Sequence, residues 1–145
     1  MADSERSTLR LAVLDDDPAI LHVVEDIMHE MGWNVISCRD VDSLDQALSD
    51  SKPDAVLIDV YLPGEVSGWD VLQRLKDDDR TSKIPIIVSS GDRYALQNHL
   101  PLIEERAAAV LVKPFEPDDL YRCVDHAVGG THAGVGGGQS QQIVG

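Results

Sequence analysis

Five apolar runs of strand length recur along the chain, separated by longer segments with the period of a helix. The runs are residues 9–14, 33–38, 55–58, 84–89 and 110–112. Several are continuously apolar, which is typical of strands covered on both faces. Parallel strands need crossover connections of about a dozen residues or more, and these are usually helices. The alternation therefore predicts an α/β fold with five βα units around a parallel sheet.

The first helix has clear signals at both ends. Asp17 followed by Pro18 is typical of a helix start, and Gly32 of a helix end, so the helix should span residues 18–31. Helical spacing predicts an inward face made of Ile20, Val24, Ile27, Met28 and Met31. The opposite side carries His22, Asp26 and His29. This composition favours a solvated face over a metal site.

Later segments supply the remaining helices. They are predicted over residues 43–50, 69–76 and 93–106, and from residue 117 onward. Pro101 should break or kink the helix over residues 93–106, because proline lacks an N–H and crowds the preceding turn.

Composition limits the possible partners. With 12 Lys and Arg against 26 Asp and Glu, the formal net charge is -14, so direct binding to nucleic acid phosphates is not expected. The start of the chain is polar, and residues 9–14 are too short for a signal peptide or a membrane span. We therefore expect a cytoplasmic protein without membrane insertion.

The chain divides into three parts by composition. Residues 1–8 form a polar extension, residues 9–128 form one folded domain, and residues 129–145 form a tail or linker rich in Gly and Gln. Cys38 and Cys123 form no CxxC pair and are interpreted as reduced, buried thiols.

Polar residues follow the apolar runs. Asp15 and Asp16 end the first run, Asp59 the third and Ser90 the fourth, and Lys113 ends the fifth. The carboxyl ends of parallel strands share one edge of the sheet, where ligands bind in open α/β folds. Crowded carboxylates require a cation, and oxygen ligands favour Mg²⁺. A carboxylate so placed can act as a nucleophile on phosphorus, with Lys113 and Ser90 stabilising phosphoryl oxygens.

Four segments, VLDDDPAIL, DAVLIDVYLPG, IPIIVSSG and VLVKPF, together resemble the receiver domains of two-component response regulators. The resemblance covers residues 9–128. It implies a flavodoxin-like (βα)₅ fold, a doubly wound parallel sheet of five strands in the order 2-1-3-4-5. This strand order is borrowed from the family, because receivers are themselves a standard example of it.

The resemblance also implies a role for each site residue. Asp59 would accept the phosphoryl group, aided by Ser90 and Lys113. Asp16 would bind Mg²⁺ directly, together with Asp59 and the backbone carbonyl of Tyr61, and Asp15 would act mainly through water. The peptide bond between Lys113 and Pro114 would be cis.

One position departs from the family pattern. Val110 stands where receivers usually have an aromatic residue that turns inward upon phosphorylation. We hypothesise that the output depends on movement of Ser90 and the loop after it, or on Tyr94, more than on aromatic rotation.

The implied function is a phosphoacceptor switch rather than an enzyme with an external substrate. Its partners would be a histidine kinase or histidine phosphotransfer protein upstream and an unknown protein downstream, and it would be a monomer or a phosphorylation-dependent dimer.

One alternative is a receiver-like interaction module without phosphorylation. Another is a haloacid dehalogenase-type phosphatase, in which Asp15 and Asp17 would form the DxD pattern, although this leaves Asp59 unexplained. No output domain follows the fifth helix, so the chain either signals by binding a partner or is a fragment of a longer regulator.

Overall fold

The computed structural model describes residues 8–129. Strands and helices alternate along this part of the chain. The strands are β1 (Arg10–Leu14), β2 (Asn34–Cys38), β3 (Ala55–Asp59), β4 (Ile86–Ser90) and β5 (Ala109–Val112). The helices are α1 (Pro18–Glu30), α2 (Val41–Asp50), α3 (Gly68–Asp77), α4 (Arg93–Asn98), α5 (Leu100–Arg106) and α6 (Pro117–Gly129). The predicted extension before residue 8 and the predicted tail after residue 129 lie outside the described residues.

The strands form one parallel sheet in the order β2-β1-β3-β4-β5. The register pairs Leu14 with Ile58, Asp59 with Ser89, and Ser90 with Val112. The predicted flavodoxin-like (βα)₅ fold is therefore confirmed. Because β1 and β3 are neighbours, the residues that follow β1 meet the end of β3.

The sheet has a core on each face, which explains the continuously apolar strands. One core packs α1 and α6 against Leu11, Leu57 and Ile87, and the other packs α2 to α5 against Leu14 and Ile58. Successive strand residues point to opposite faces. Asp59, two residues after Leu57, is therefore on the α1 and α6 face.

Helix α1 begins as predicted and is one residue shorter than predicted. Asp17 caps it by accepting a hydrogen bond of 2.9 Å from the Ala19 N–H, and Gly32 follows the end with a positive φ of 86°. Its buried side chains are Leu21, Val24 and Met28. The predicted inward face was wrong at Met31, the exposed C-cap residue, and it missed the buried Leu21. Ile20 and Ile27 are partly buried and pack against the core, as predicted. On the solvated side, His22 and Asp26 form an exposed pair at 3.6 Å.

The predicted break near Pro101 is present, and it lies at His99. Helix α4 ends at Asn98, and Pro101 occupies the first turn of α5, where its missing N–H needs no partner. The His99 ring stacks on Trp69 of α3, with ring centroids 4.0 Å apart and an angle of 10° between the planes.

Other predicted boundaries differ by one or two residues. Strand β4 begins at Ile86, after Pro85, which has no N–H for the ladder, and it includes Ser90. Strand β3 includes Asp59. The phosphoacceptor candidate is therefore the last residue of a strand with fixed backbone geometry.

The cysteines are unpaired, and only Cys38 is fully buried. Cys123 is half-buried, so the prediction of two buried thiols was right for one of them. Burial raises the pKa of Cys38 to about 11 and that of Cys123 to about 12, so both are neutral thiols at physiological pH. Among residues 8–129, no helix has the length and apolar character needed to cross a membrane.

Gly68, the first residue of α3, packs against the end of β3, and we predict that it tolerates no side chain. A Cβ there would overlap the carbonyl oxygen of Asp59 and the Cα of Val60. Gly68→Ala should lower the free energy of unfolding by about 1–3 kcal/mol, measured by urea denaturation. Gly91→Ala is the matched control, because its Cβ would only make ordinary contact with Lys113 at 3.7 Å. Equal losses in the two variants would contradict the prediction.

Candidate functional site

The predicted site residues meet at the carboxyl edge of the sheet. Asp15 follows β1, Asp59 and Ser90 end β3 and β4, and Lys113 follows β5. They come together because parallel strands all end at the same edge. Asp15, Asp59 and Ser90 are also buried, with side chains inside the edge rather than on the surface.

Three carboxylates form the acidic part of the site. Oxygen atoms of Asp15, Asp16 and Asp59 all lie within 4.8 Å of one another. Asp15 and Asp59 are buried, whereas Asp16 is open to solvent. Such a set of hard oxygen ligands, partly open to water, fits a divalent cation of the Mg²⁺ type. Asp17, in contrast, caps α1 and does not belong to this cluster.

Lys113 supplies the positive charge among these buried carboxylates. Its Nζ lies 2.8 Å from Asp15 Oδ2 and 3.4 Å from Asp59 Oδ2. Burial alone would lower the pKa of Lys113, but the hydrogen bond to Asp15 and the charges of Asp15 and Asp59 together raise it. Lys113 is therefore charged at neutral pH. The peptide bond between Lys113 and Pro114 is cis, as predicted.

Asp59 has an environment that disfavours its charge. Burial raises the pKa of its carboxyl, and this outweighs the opposing effects of the Tyr61 N–H, which donates to Oδ1 at 3.0 Å, and of Lys113. The carboxylate is only weakly solvated and has Lys113 on one side. This arrangement suits a nucleophile whose negative charge is transferred to an incoming group.

Ser90 is fixed by the loop that follows it. Its Oγ accepts a hydrogen bond of 2.9 Å from the Asp92 N–H, and Asp92 in turn caps α4 by accepting from the Ala95 N–H. The hydroxyl proton of Ser90 is not used in this bond. Ser90 can therefore still donate to a group bound at Asp59.

A contact between side chains at the mouth of the site was missed by the sequence reasoning. The Tyr61 hydroxyl donates to Asp92 Oδ2 at 2.8 Å, joining the loops after β3 and β4. This hydrogen bond raises the pKa of Tyr61 and lowers that of Asp92. Asp92 looks like an ordinary helix cap in the sequence, so no pattern pointed to its second role.

The structure also describes Val110, which stands where an aromatic residue was expected, and Tyr94. Val110 is half-buried on β5 and packs against the core on the α2 to α5 face. Tyr94 lies on the surface of α4, 77% exposed. The hypothesis that Ser90 or Tyr94 transmits the signal stays a prediction.

These contacts unite the acidic residues, hydroxyl and lysine of the family pattern in one place. A sequence profile of the response regulator receiver domain matches residues 11–125. The chain belongs to this family. Phosphorylation-based switching is the function of response regulator receivers.

Curated relatives of this receiver include longer regulators. The DNA-binding dual master transcriptional regulator RpaA of Synechocystis is 33% identical over 113 residues, which cover 77% of this chain and 45% of RpaA. The DNA-binding response regulator MtrA of Mycolicibacterium smegmatis is 31% identical over 111 residues, covering 77% of this chain and 46% of MtrA. The receiver thus spans about half the length of these relatives.

Solved structures share the fold of this receiver. The chemotaxis response regulator CheY4 of Vibrio cholerae matches with a TM-score of 0.73 and 20% identity, covering 83% of this chain and 99% of CheY4. The receiver domain of the sensor histidine kinase PA1611 of Pseudomonas aeruginosa matches with a TM-score of 0.73 and 22% identity, covering 85% of this chain and 99% of the PA1611 domain. That structure has a magnesium ion coordinated in its active site cleft.

The raised pKa of Asp59 predicts that Asp59→Asn stabilises the receiver. Folding disfavours the ionised carboxylate, so the stability contribution of Asp59 is present below its ordinary pKa of 3.8 and is lost as the pH rises through the raised value. Without divalent cations, urea denaturation should therefore show a higher free energy of unfolding for Asp59→Asn at neutral pH. The difference in free energy of unfolding between Asp59→Asn and the wild type should become smaller as the pH falls. Asp118→Asn, at an exposed position of α6, is the control. A difference between Asp59→Asn and the wild type that grew on acidification would contradict the prediction.

Proposed function

We propose that Asp59 is the residue that accepts the phosphoryl group in this receiver. The observation that supports the proposal is the position of its carboxylate, which is buried, 3.4 Å from Lys113 and within the acidic cluster. The receiver domain is proposed to span residues 9–128, which agrees with the profile match over residues 11–125.

In the proposed step an Asp59 oxygen attacks the phosphorus atom of the donor. A new bond forms between that oxygen and phosphorus, and the bond from phosphorus to the leaving group breaks, with the electron pair departing on the leaving group. The Lys113 ammonium then faces the negative charge of the phosphoryl oxygens, and the Ser90 hydroxyl donates to one of them. Asp59 needs no proton removed, because its carboxylate is the nucleophile.

We further propose that Asp15, Asp16, Asp59 and the backbone carbonyl of Tyr61 hold Mg²⁺. The bound cation would neutralise charge on the phosphoryl oxygens and relieve repulsion between the carboxylates. The magnesium ion in the PA1611 receiver supports this choice.

The proposed phosphodonor in the cell is a histidine kinase or a histidine phosphotransfer protein, and the product would be read by a downstream protein. RpaA and MtrA are named as DNA-binding regulators. For this chain we consider two kinds of output, an effector domain attached to the receiver or a separate protein partner.

Phosphoacceptance predicts a covalent product. Incubation of the full chain with Mg²⁺ and acetyl phosphate should add one phosphoryl mass, measured by intact mass spectrometry. Asp59→Asn should remove the labelling, whereas Asp118→Asn should keep it. Unlabelled wild-type protein would support the alternative of an interaction module without phosphorylation, and labelling of Asp59→Asn would place the phosphoryl group elsewhere.

Metal binding is predicted separately. Asp16→Asn should weaken Mg²⁺ binding by about 10–100-fold or more, since even residues that only support metal ligands have effects of that size. Titration calorimetry on the unphosphorylated protein measures this directly, with Asp118→Asn as the control for loss of one charge. Equal affinities for the wild type and Asp16→Asn would exclude Asp16 as a ligand.

A further inference from the structure

Ser89 has a buried hydroxyl that the proposed mechanism does not use. The residue is 2% exposed, and among residues 8–129 its Oγ is the one buried side-chain oxygen or nitrogen without a hydrogen-bond partner in the protein. A hydroxyl removed from water without a partner is destabilising. Unsatisfied buried groups in native proteins therefore call for an explanation, which is often a bound water or a functional role.

The sheet places this hydroxyl beside the phosphoacceptor. Strand register pairs Ser89 directly with Asp59 on one side and with Leu111 on the other. Leu57, Ile87 and Leu111 all belong to the core on the α1 and α6 face. Since side chains alternate along a strand, Asp59 and Ser89 are on that same face.

Lys113 reaches the carboxylates by crossing the end of β4. It starts from β5, yet its Nζ contacts Asp15 and Asp59, on the far side of β4. A Cβ at Gly91 would lie 3.7 Å from the Lys113 Cβ, so the lysine stem runs beside Gly91, two residues after Ser89 on the same face. Ser89 therefore lies on the strand that the Lys113 side chain crosses to reach Asp59, and on the same face of the sheet as Asp59.

We propose that Ser89 is a positioning residue whose hydroxyl binds one buried water that links it to the Lys113 ammonium and the Asp59 carboxylate. This inference rests on the proposed function of Asp59. A buried water needs two to four polar partners, and these three groups supply them. Asp15 and Asp59 occupy two of the three N–H donors of Lys113, so one donor is left for the water.

The proposed water bridge affects where the Lys113 ammonium lies during phosphoryl transfer. Lys113 is closer to Asp15, at 2.8 Å, than to Asp59, at 3.4 Å, although the phosphoryl group arrives at Asp59. A bridge from Ser89, which is next to Asp59, draws the ammonium toward the reacting carboxylate.

The test compares Ser89→Ala and Ser89→Thr with the wild type in the full chain, using acetyl phosphate at saturating Mg²⁺. Ser89→Ala should lower the maximal labelling rate of Asp59 by about tenfold, the factor expected for one charge-assisted hydrogen bond. The donor concentration that gives half the maximal rate should not change. Ser89→Thr retains the hydroxyl and should recover most of the rate. Ser37→Ala is the control for loss of a serine hydroxyl at an exposed position of β2.

A second readout does not depend on phosphoryl transfer. The ¹⁵N-labelled ammonium of Lys113 should exchange its protons with solvent faster in Ser89→Ala than in the wild type, because one of its bound partners is lost. Equal exchange rates, or a loss of labelling rate that threonine does not recover, would overturn the inference. If the wild type accepts no phosphoryl group, the proposed function fails while the exchange measurement still decides whether Ser89 and Lys113 are linked.

Discussion

The site depends on a charge balance between buried groups from opposite ends of the chain. Lys113 contacts Asp15, 98 residues earlier, and Asp59, 54 residues earlier. Two carboxylates this close and this buried repel each other, and each would prefer to be protonated or solvated. Lys113 offsets part of this cost, but burial has the larger effect and raises the pKa of the Asp59 carboxyl.

Incomplete compensation suits the role proposed for Asp59, that of the reacting carboxylate. A fully paired carboxylate would be a stable structural group with little reason to bind a cation or attack phosphorus. Asp15, in contrast, accepts both the Lys113 ammonium and the Asp17 N–H, so it serves as the fixed anchor of the pair. The two aspartates thus differ in their hydrogen-bond partners, which supports the different roles proposed for them.

Much of this arrangement could be predicted from the sequence. Apolar runs of strand length predicted the sheet, and the residues after them predicted the site, because the geometry of parallel strands leaves few alternatives. The family resemblance supplied the strand order and the individual roles. The inward face of α1 was less predictable at Leu21 and Met31, since both are apolar and only packing decides which of them is buried. The contact of Tyr61 with Asp92 and the unpartnered Ser89 depend on distances between loops and strands that no local pattern encodes.

The stacked pair of Trp69 and His99 has an experimental consequence. Trp69 lies at the start of α3, after the loop that leaves Asp59, and His99 lies in the segment that follows Ser90. A stack with a centroid distance of 4.0 Å is lost if either segment shifts by a few ångströms. Indole fluorescence depends on the groups that contact the ring. The emission of Trp69 should therefore report on the relative position of the two chain segments that leave the carboxyl edge of the sheet.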